Sequence, residues 1–333
     1  MSRILITGGA GFIGSQLGNY LNNRGHEVLL LDDLSFGTKD NLEIDGKTFG
    51  QFILDDIRNP NFIEYLEGVD VVFHFAAIAP LPVNQVEPYR SYSINVAGWV
   101  NVLEACRRVK TPKIILASTS AIYENNIVYP FKEEDDVSPY MTYCLSKKHA
   151  EDLALSFSKL YNMDITRLRF FNVYGPHHDF RRKSPPLIAY IIKCMMTNDI
   201  PILHSDGKQE RDYVYVDDVC RMCKIAMENP LSRNESFNVS SNSVISMNQI
   251  YDEIAALFNN ANKPIFRDPK LLWDKYQELE LGYSINLEYI AKETNKYSIG
   301  SNEKSERLLG WKPEVNFKDG IRNTVEHAIK TGL

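Results

Sequence analysis

Apolar residues in the first third of the chain gather in short, dense runs separated by segments of helical period. RILIT (3–7), HEVLLLDD (26–33), TFGQFILDD (48–56), VDVVFHFAA (69–77) and PKIILASTS (112–120) carry too few polar positions to alternate. Runs of that kind predict strands buried on both faces. Between them, SQLGNYLNNRG has Leu17 and Leu21 at helical spacing with Gly25 as a C-terminal stop, and YSINVAGWVNVLEACRRV (92–109) is a second helical stretch. Strand–helix alternation predicts an α/β protein with a doubly wound parallel sheet that binds ligand at the carboxyl ends of its strands. His74 lies inside an apolar strand and is read as a satisfied core residue before an acid–base group.

The first turn between strand and helix narrows the ligand. Gly8, Gly11 and Gly14 follow the first strand at spacing three and three. Glycines there allow a tight turn and a close approach of a pyrophosphate to amide groups at the helix N-terminus. Asp32 ends the second strand, where a carboxylate accepts from the ribose hydroxyls of an adenosine. It repels a 2′-phosphate, and no Arg or Lys intervenes before Lys39, so NAD is favoured over NADP. The third strand should end at Asp56–Ile57, flanking the adenine, and the fourth at Ala76 and Ala77, whose small side chains let a cofactor lie close. The sheet is therefore of the Rossmann type.

Chemistry enters with SPYMTYCLSKKHAED (138–152), a Pro-led stretch of helical pattern. Tyr143 and Lys147 are four apart, which puts both on one helix face about one turn apart. Thr119 lies just past the carboxyl end of the fifth strand. A phenol titrates near about 10, and lowering that by about two units takes roughly 2.7 kcal/mol of differential interaction. Lys147 and a positively charged nicotinamide are the cations expected to provide it. Tyr143 then serves as a base toward a sugar hydroxyl, with Thr119 holding that hydroxyl in line.

Bulk properties exclude several alternatives. The net charge of −6 argues against a general nucleic-acid or anionic-membrane binder. The most apolar run, VVFHFAAIAPLPV, is interrupted by His74 and two prolines and is too short to span a bilayer. A strand pattern starting at Arg3 is not that of a signal peptide. Five cysteines, an odd number, suit a reducing cytosol, and Cys220 and Cys223 are read as helix-core residues. No metal role is expected for them or for His177 and His178.

These motifs together resemble the extended short-chain dehydrogenase/reductases, specifically the nucleotide-sugar epimerases and dehydratases. The resemblance rests on TGGAGFIG, LDDLSFGTKDNL, DDIRN, VFHFAA, STSAIY, Tyr143-xxx-Lys147, RFFNVYGP, DGKQERDYVYVDDV, FNVSS and LLGWKP, in order from Thr7 to Pro313. It implies Thr119, Tyr143 and Lys147 as the catalytic set. It implies cofactor contacts from Gly8, Gly11, Phe12, Ile13, Gly14, Asp32, Asp33, Leu34, Ser35, Gly37, Asp56, Ile57, Phe75, Ala76, Ala77, Ser118, Tyr143, Lys147 and Phe171. Asn172 then borders the substrate, and Arg211 contacts the diphosphate of a nucleotide sugar, a role that the fork of a guanidinium suits. Arg181, in the basic loop HHDFRRKSPPL, is either a further phosphate contact or part of a solvated surface loop.

The reaction follows from what is missing. Family dehydratases carry an Asp–Glu pair after the catalytic Thr, and the uronic-acid decarboxylases a Glu at the second position; here Ser120 and Ala121 occupy those places. Thr–Tyr–Lys alone suits reversible oxidation at one carbon, a 4-epimerisation through a 4-keto sugar. The alternatives are an oxidoreductase or another family enzyme releasing a keto product, and a dinucleotide sensor without catalysis. Two family glycines are replaced, by Glu124 and Cys144, and residues 266–300 are longer than the family's short R-x-G-D segment, with Arg267 a candidate replacement for its Arg. That segment is expected to be a helical insertion near the substrate lobe: a lid, a dimer contact or decoration. Residues 1–173 with 212–240 are expected to form the NAD lobe, and 174–211 with 241–333 a smaller α/β nucleotide-sugar lobe. The resemblance also implies a homodimer through helices near 95–110 and 143–160.

Overall fold

The computed structural model describes residues 1–44, 46–258 and 263–332. Seven strands form one parallel sheet: β1 (Arg3–Thr7), β2 (Glu27–Asp32), β3 (Gln51–Leu54), β4 (Val71–His74), β5 (Lys113–Thr119), β6 (Ile165–Phe170) and β7 (Ser236–Val239). Their spatial order is β3-β2-β1-β4-β5-β6-β7. Ile6 of β1 stands between Leu30 and Phe73 of its two neighbours. The order reverses between β1 and β4, and a ligand site is expected in the crevice outside that switch point.

Alternation along each strand feeds two cores. Ile4, Ile6, Leu30 and Phe73 face one layer with Leu17 and Leu21. Leu5, Leu29, Leu31 and Val72 face the other with Trp99 and Leu103. Period-two placement of apolar residues on both faces is why these strands have no polar side. His74 sits in this core as expected. Its Nδ1 lies 2.9 Å from Thr7 Oγ1, its ring stacks on Trp99 at 4.6 Å, and burial lowers its pKa to about 3.

Helix α1 (Phe12–Asn22) follows the glycine turn, and α2 (Trp99–Val109) and α3 (Thr142–Tyr161) cover the second core. Two boundaries differ from expectation. The 92–109 stretch begins with a π turn, Ser93–Gly98, where Asn95 turns inward to pair with both the N–H and the carbonyl of Ile78. The third strand ends at Leu54, so Asp56 and Ile57 lie beyond it. Helix α4 (Val216–Glu228) packs Cys220 and Cys223 into the core with Leu17 and Leu21, as read from sequence. Among the described residues no group of three or more His, Cys, Asp or Glu could hold a metal ion, and no helix is long and apolar enough to cross a membrane.

Short strands extend the chain beyond the sheet. Ile202–His204 pairs with Ile265–Arg267, and Asn172–Tyr174 with Tyr213–Tyr215. The long segment is only partly helical. After Arg267 come two 3-10 turns, Pro269–Leu271 and Gln277–Glu280, and then helix α5 (Leu287–Thr294). Thr294 Oγ1 donates to the Pro269 carbonyl at 3.0 Å, closing the segment on itself.

Candidate active site

A cleft of about 1810 Å³ runs along the carboxyl ends of the strands. Every residue expected to contact cofactor or substrate lines it, with one exception, Leu34. Leu34 takes a left-handed conformation (φ 60°) and donates its N–H to Asp32 Oδ1 at 2.8 Å. It therefore orients the carboxylate and does not face the cleft.

The cofactor side is built from backbone. A Cβ at Gly14 would stand 2.2 Å from the Gly8 carbonyl oxygen, and one at Gly8 would stand 2.7 Å from the Ala76 nitrogen. Glycine there lets the turn close against the end of β4. Gly11 is the N-cap and no side chain caps the helix, so the anion-attracting end stays open. Asp32 accepts from the N–H of Ala10 (3.1 Å) and of Leu34; burial raises its pKa and those two hydrogen bonds oppose the rise. His178 is buried against Phe12 and borders the cleft, and its Nδ1 has no hydrogen-bond partner among the described residues. An uncapped helix end, a held carboxylate and that imidazole nitrogen fit a dinucleotide. Asp56, expected beside the adenine, also binds Arg58 through Nε at 3.0 Å.

The reactive side gathers Thr119, Tyr143 and Lys147. Thr119 Oγ1 accepts from the Ala121 N–H at 3.1 Å, which leaves its proton for the Tyr143 oxygen. Burial pushes the Tyr143 phenol up to about 12, and the Thr119 hydrogen bond only partly offsets it. The acidification was expected with oxidised NAD bound; in the protein alone, burial outweighs both the Thr119 hydrogen bond and the charge of Arg182. Bringing the phenol down from about 12 to the level of a working base takes roughly twice the differential interaction anticipated from an ordinary phenol. Burial also lowers Lys147 to about 8, with Glu151 opposing.

Glu151 was missed by sequence reasoning, although it lies one further turn along the face that carries Tyr143 and Lys147. Arg169 grips its carboxylate at 3.0 and 2.8 Å. Burial works against the charge of Glu151, but these hydrogen bonds prevail and hold its pKa below the usual range. The Ser118 hydroxyl donates to the same carboxylate at 2.5 Å, so Ser118 is turned toward this buried pair although it borders the cleft.

Arg211, expected at the diphosphate, and Arg181, read either as a phosphate contact or as part of a surface loop, both have carboxylate partners. Arg181 is exposed and pairs with Asp40 at 3.1 Å. Arg211 meets Glu293 of α5, with Nη1 3.3 Å from the carboxylate and Nη2 donating to its carbonyl. Asn172 donates to the Asp212 carbonyl at 2.7 Å, and Phe171 is buried with its ring against Gly300. Arg267 reaches the cleft and pairs with Asp274 at 3.3 Å.

The model of the NAD dependent epimerase/dehydratase family matches residues 4–240. The chain belongs to that family. Among its relatives, UDP-glucose 4-epimerase of Mycolicibacterium smegmatis is 29% identical over 97% of both chains. The crystal structure of UDP-glucose 4-epimerase from Thermotoga maritima with UDP-glucose is 31% identical, covering 99% of this chain and 100% of that one, with a TM-score of 0.87. UDP-glucuronic acid 4-epimerase from Bacillus cereus, in complex with UDP-glucuronic acid and NAD, is 26% identical, covers 99% of both chains and superposes with a TM-score of 0.84. The expected Rossmann-type architecture and its NAD-dependent, isomerase-containing family are thus those of this epimerase/dehydratase member.

Proposed function

We propose that the protein is a nucleotide-sugar 4-epimerase acting on a UDP-sugar. One observation carries the reading: Thr119, Tyr143 and Lys147 line one cleft at the carboxyl end of β5, while the two positions after Thr119, Ser120 and Ala121, offer no acid or base. Elimination of water or loss of carbon dioxide calls for a further proton-transfer group, whereas oxidation and return at one carbon does not.

Bound NAD supplies the hydride acceptor and donor and, when oxidised, a positive charge beside the phenol. Thr119 holds the sugar hydroxyl against Tyr143. Tyr143, as phenolate, takes the hydroxyl proton as the C4 hydrogen departs, and gives it back once the 4-keto sugar has turned over. Lys147, protonated below about 8, supports the phenolate from one turn below. Arg211 is the residue we assign to the diphosphate, and a phosphate reaching it must share the guanidinium with Glu293 or displace that carboxylate.

We assign residues 1–173 and 212–240 to the NAD lobe and the remainder to the nucleotide-sugar lobe. We further assign a homodimer to the outer faces of α2 and α3, where Val100, Leu155 and Tyr161 are exposed. Sedimentation of wild type beside Leu155→Glu tests that assembly. For the reaction, purified protein is incubated with UDP-, GDP-, CDP- and dTDP-sugars and followed by NMR. A UDP-hexose and its C4 epimer should interconvert without added NAD. Stoichiometric release of NADH with a keto product contradicts the proposal.

A further inference from the structure

The segment after Arg267 has three open readings from sequence, and its contacts choose among them. Trp273, Tyr276 and Ile290 form one buried cluster with Met141 and Cys144, the residues flanking the start of α3, and Tyr143 and Ala121 pack against that cluster. Trp273 and Tyr276 also line the cleft that holds Thr119 and Asn172. Both are buried within a single chain, at 7% and 5% exposure, so neither is a surface offered to a second copy.

The anchors of this segment are side-chain contacts to the catalytic lobe. Tyr289 donates its hydroxyl proton to Glu124 Oε1 at 2.6 Å, and Lys292 reaches Asn125 at 2.9 Å. The other oxygen of Glu124 accepts from the N–H groups of Tyr140 (2.7 Å) and Met141 (3.0 Å), immediately before α3. One carboxylate therefore ties the helix that carries Tyr143 to the added segment, at the end where a negative charge is favoured. Glu124 meets the segment through a hydrogen bond and Cys144 by packing. Decoration does not account for contacts that reach the start of the helix carrying Tyr143. Lys183 of the basic loop stands 4.5 Å over the Tyr276 ring and joins a third part of the chain to the same surface.

We propose that residues 268–296 form a fixed wall of the sugar subsite, and that Trp273 and Tyr276 are its specificity-determining residues, meeting the pyranose with the small part of each that stays exposed in the cleft. Aromatic faces bury the C–H faces of a sugar, while a few polar groups set its orientation. The wall rests on the nucleotide-sugar reading above and adds to it the residues that select the sugar.

The test separates the two claims. Binding of UDP and of UDP-glucose, UDP-galactose, UDP-N-acetylglucosamine and UDP-glucuronate is measured by calorimetry on NAD-loaded wild type, Trp273→Phe and Tyr276→Ala. Far-ultraviolet circular dichroism and Tm establish that each variant is folded. We expect the advantage of the preferred UDP-sugar over UDP to fall about fivefold in a folded variant, and the ranking of the four sugars to change, with UDP and NAD binding unaltered. Equal losses for UDP and UDP-sugar, or an unchanged ratio, overturn the wall and leave the functional reading standing. Wild type that binds none of these ligands overturns both.

Discussion

The two sides of the cleft are built by different means. On the cofactor side the polar work falls to backbone and to one carboxylate held by backbone: Asp32 takes the N–H groups of Leu34, two residues away, and of Ala10, 22 away. On the sugar side side chains join segments distant in sequence: Arg211 and Glu293 are separated by 82 residues, Tyr289 and Glu124 by 165. Backbone construction leaves little to vary without breaking the turn, as the Gly8–Gly14 contact demonstrates. Side-chain construction can change one residue at a time. The same sheet can therefore keep its cofactor while the sugar-facing half is rebuilt, here by a segment that closes over Tyr143.

This contrast can be broken most forcefully at Tyr143, where the two sides meet. Tyr143→Phe should lower kcat about 10³-fold while calorimetry finds NAD and UDP bound as before. A loss under about tenfold removes Tyr143 as the base. Arg211→Met should weaken UDP about tenfold or more through loss of charge-assisted hydrogen bonds, with NAD affinity unaffected. A change in NAD affinity would mean that the two sides are not separately built. Glu293→Gln should act in the opposite direction, tightening UDP by about threefold because a like charge leaves the path of the diphosphate. Weaker UDP binding in that variant would instead make Glu293 the group that orients Arg211.

The smallest expected signal is a titration. Burial lowers Lys147 to about 8, so its ammonium is present below that pH and is lost as pH rises through it. Its Nζ resonance in ¹⁵N-lysine-labelled, NAD-free protein should show a midpoint near 8, apart from the surface lysines. The alkaline fall of kcat should move to higher pH in Lys147→Arg, because a guanidinium remains charged. A midpoint near about 10.4 contradicts the burial argument.

The legible parts of the molecule were those written in short periods. Dense apolar runs located β1, β2, β4 and β5, and four-residue spacing located Tyr143 and Lys147. Their common position at one cleft required only the sheet order. Long-range contacts were out of reach. The π turn at Ser93–Gly98 accompanies the pairing of Asn95 with Ile78, and the path of residues 268–296 depends on Glu124 and Met141, both far off in sequence. The burial of the phenol was out of reach for a related reason. Spacing reveals a nearby cation, but only the packed structure shows how much water has been removed. Glu151 was within reach of the spacing argument, and its role became clear only beside Arg169 on another element.

At the centre lies one chemical statement: the hydrogen at C4 of the sugar leaves and returns inside the cleft while Tyr143 handles only the hydroxyl proton. The direct measurement is ¹H NMR of UDP-glucose converted by the protein in D₂O. The account predicts that the epimeric product keeps its C4 proton in full, with no deuterium entering the ring. Deuterium at C4 of the product would mean proton exchange with solvent at that carbon and would contradict the account.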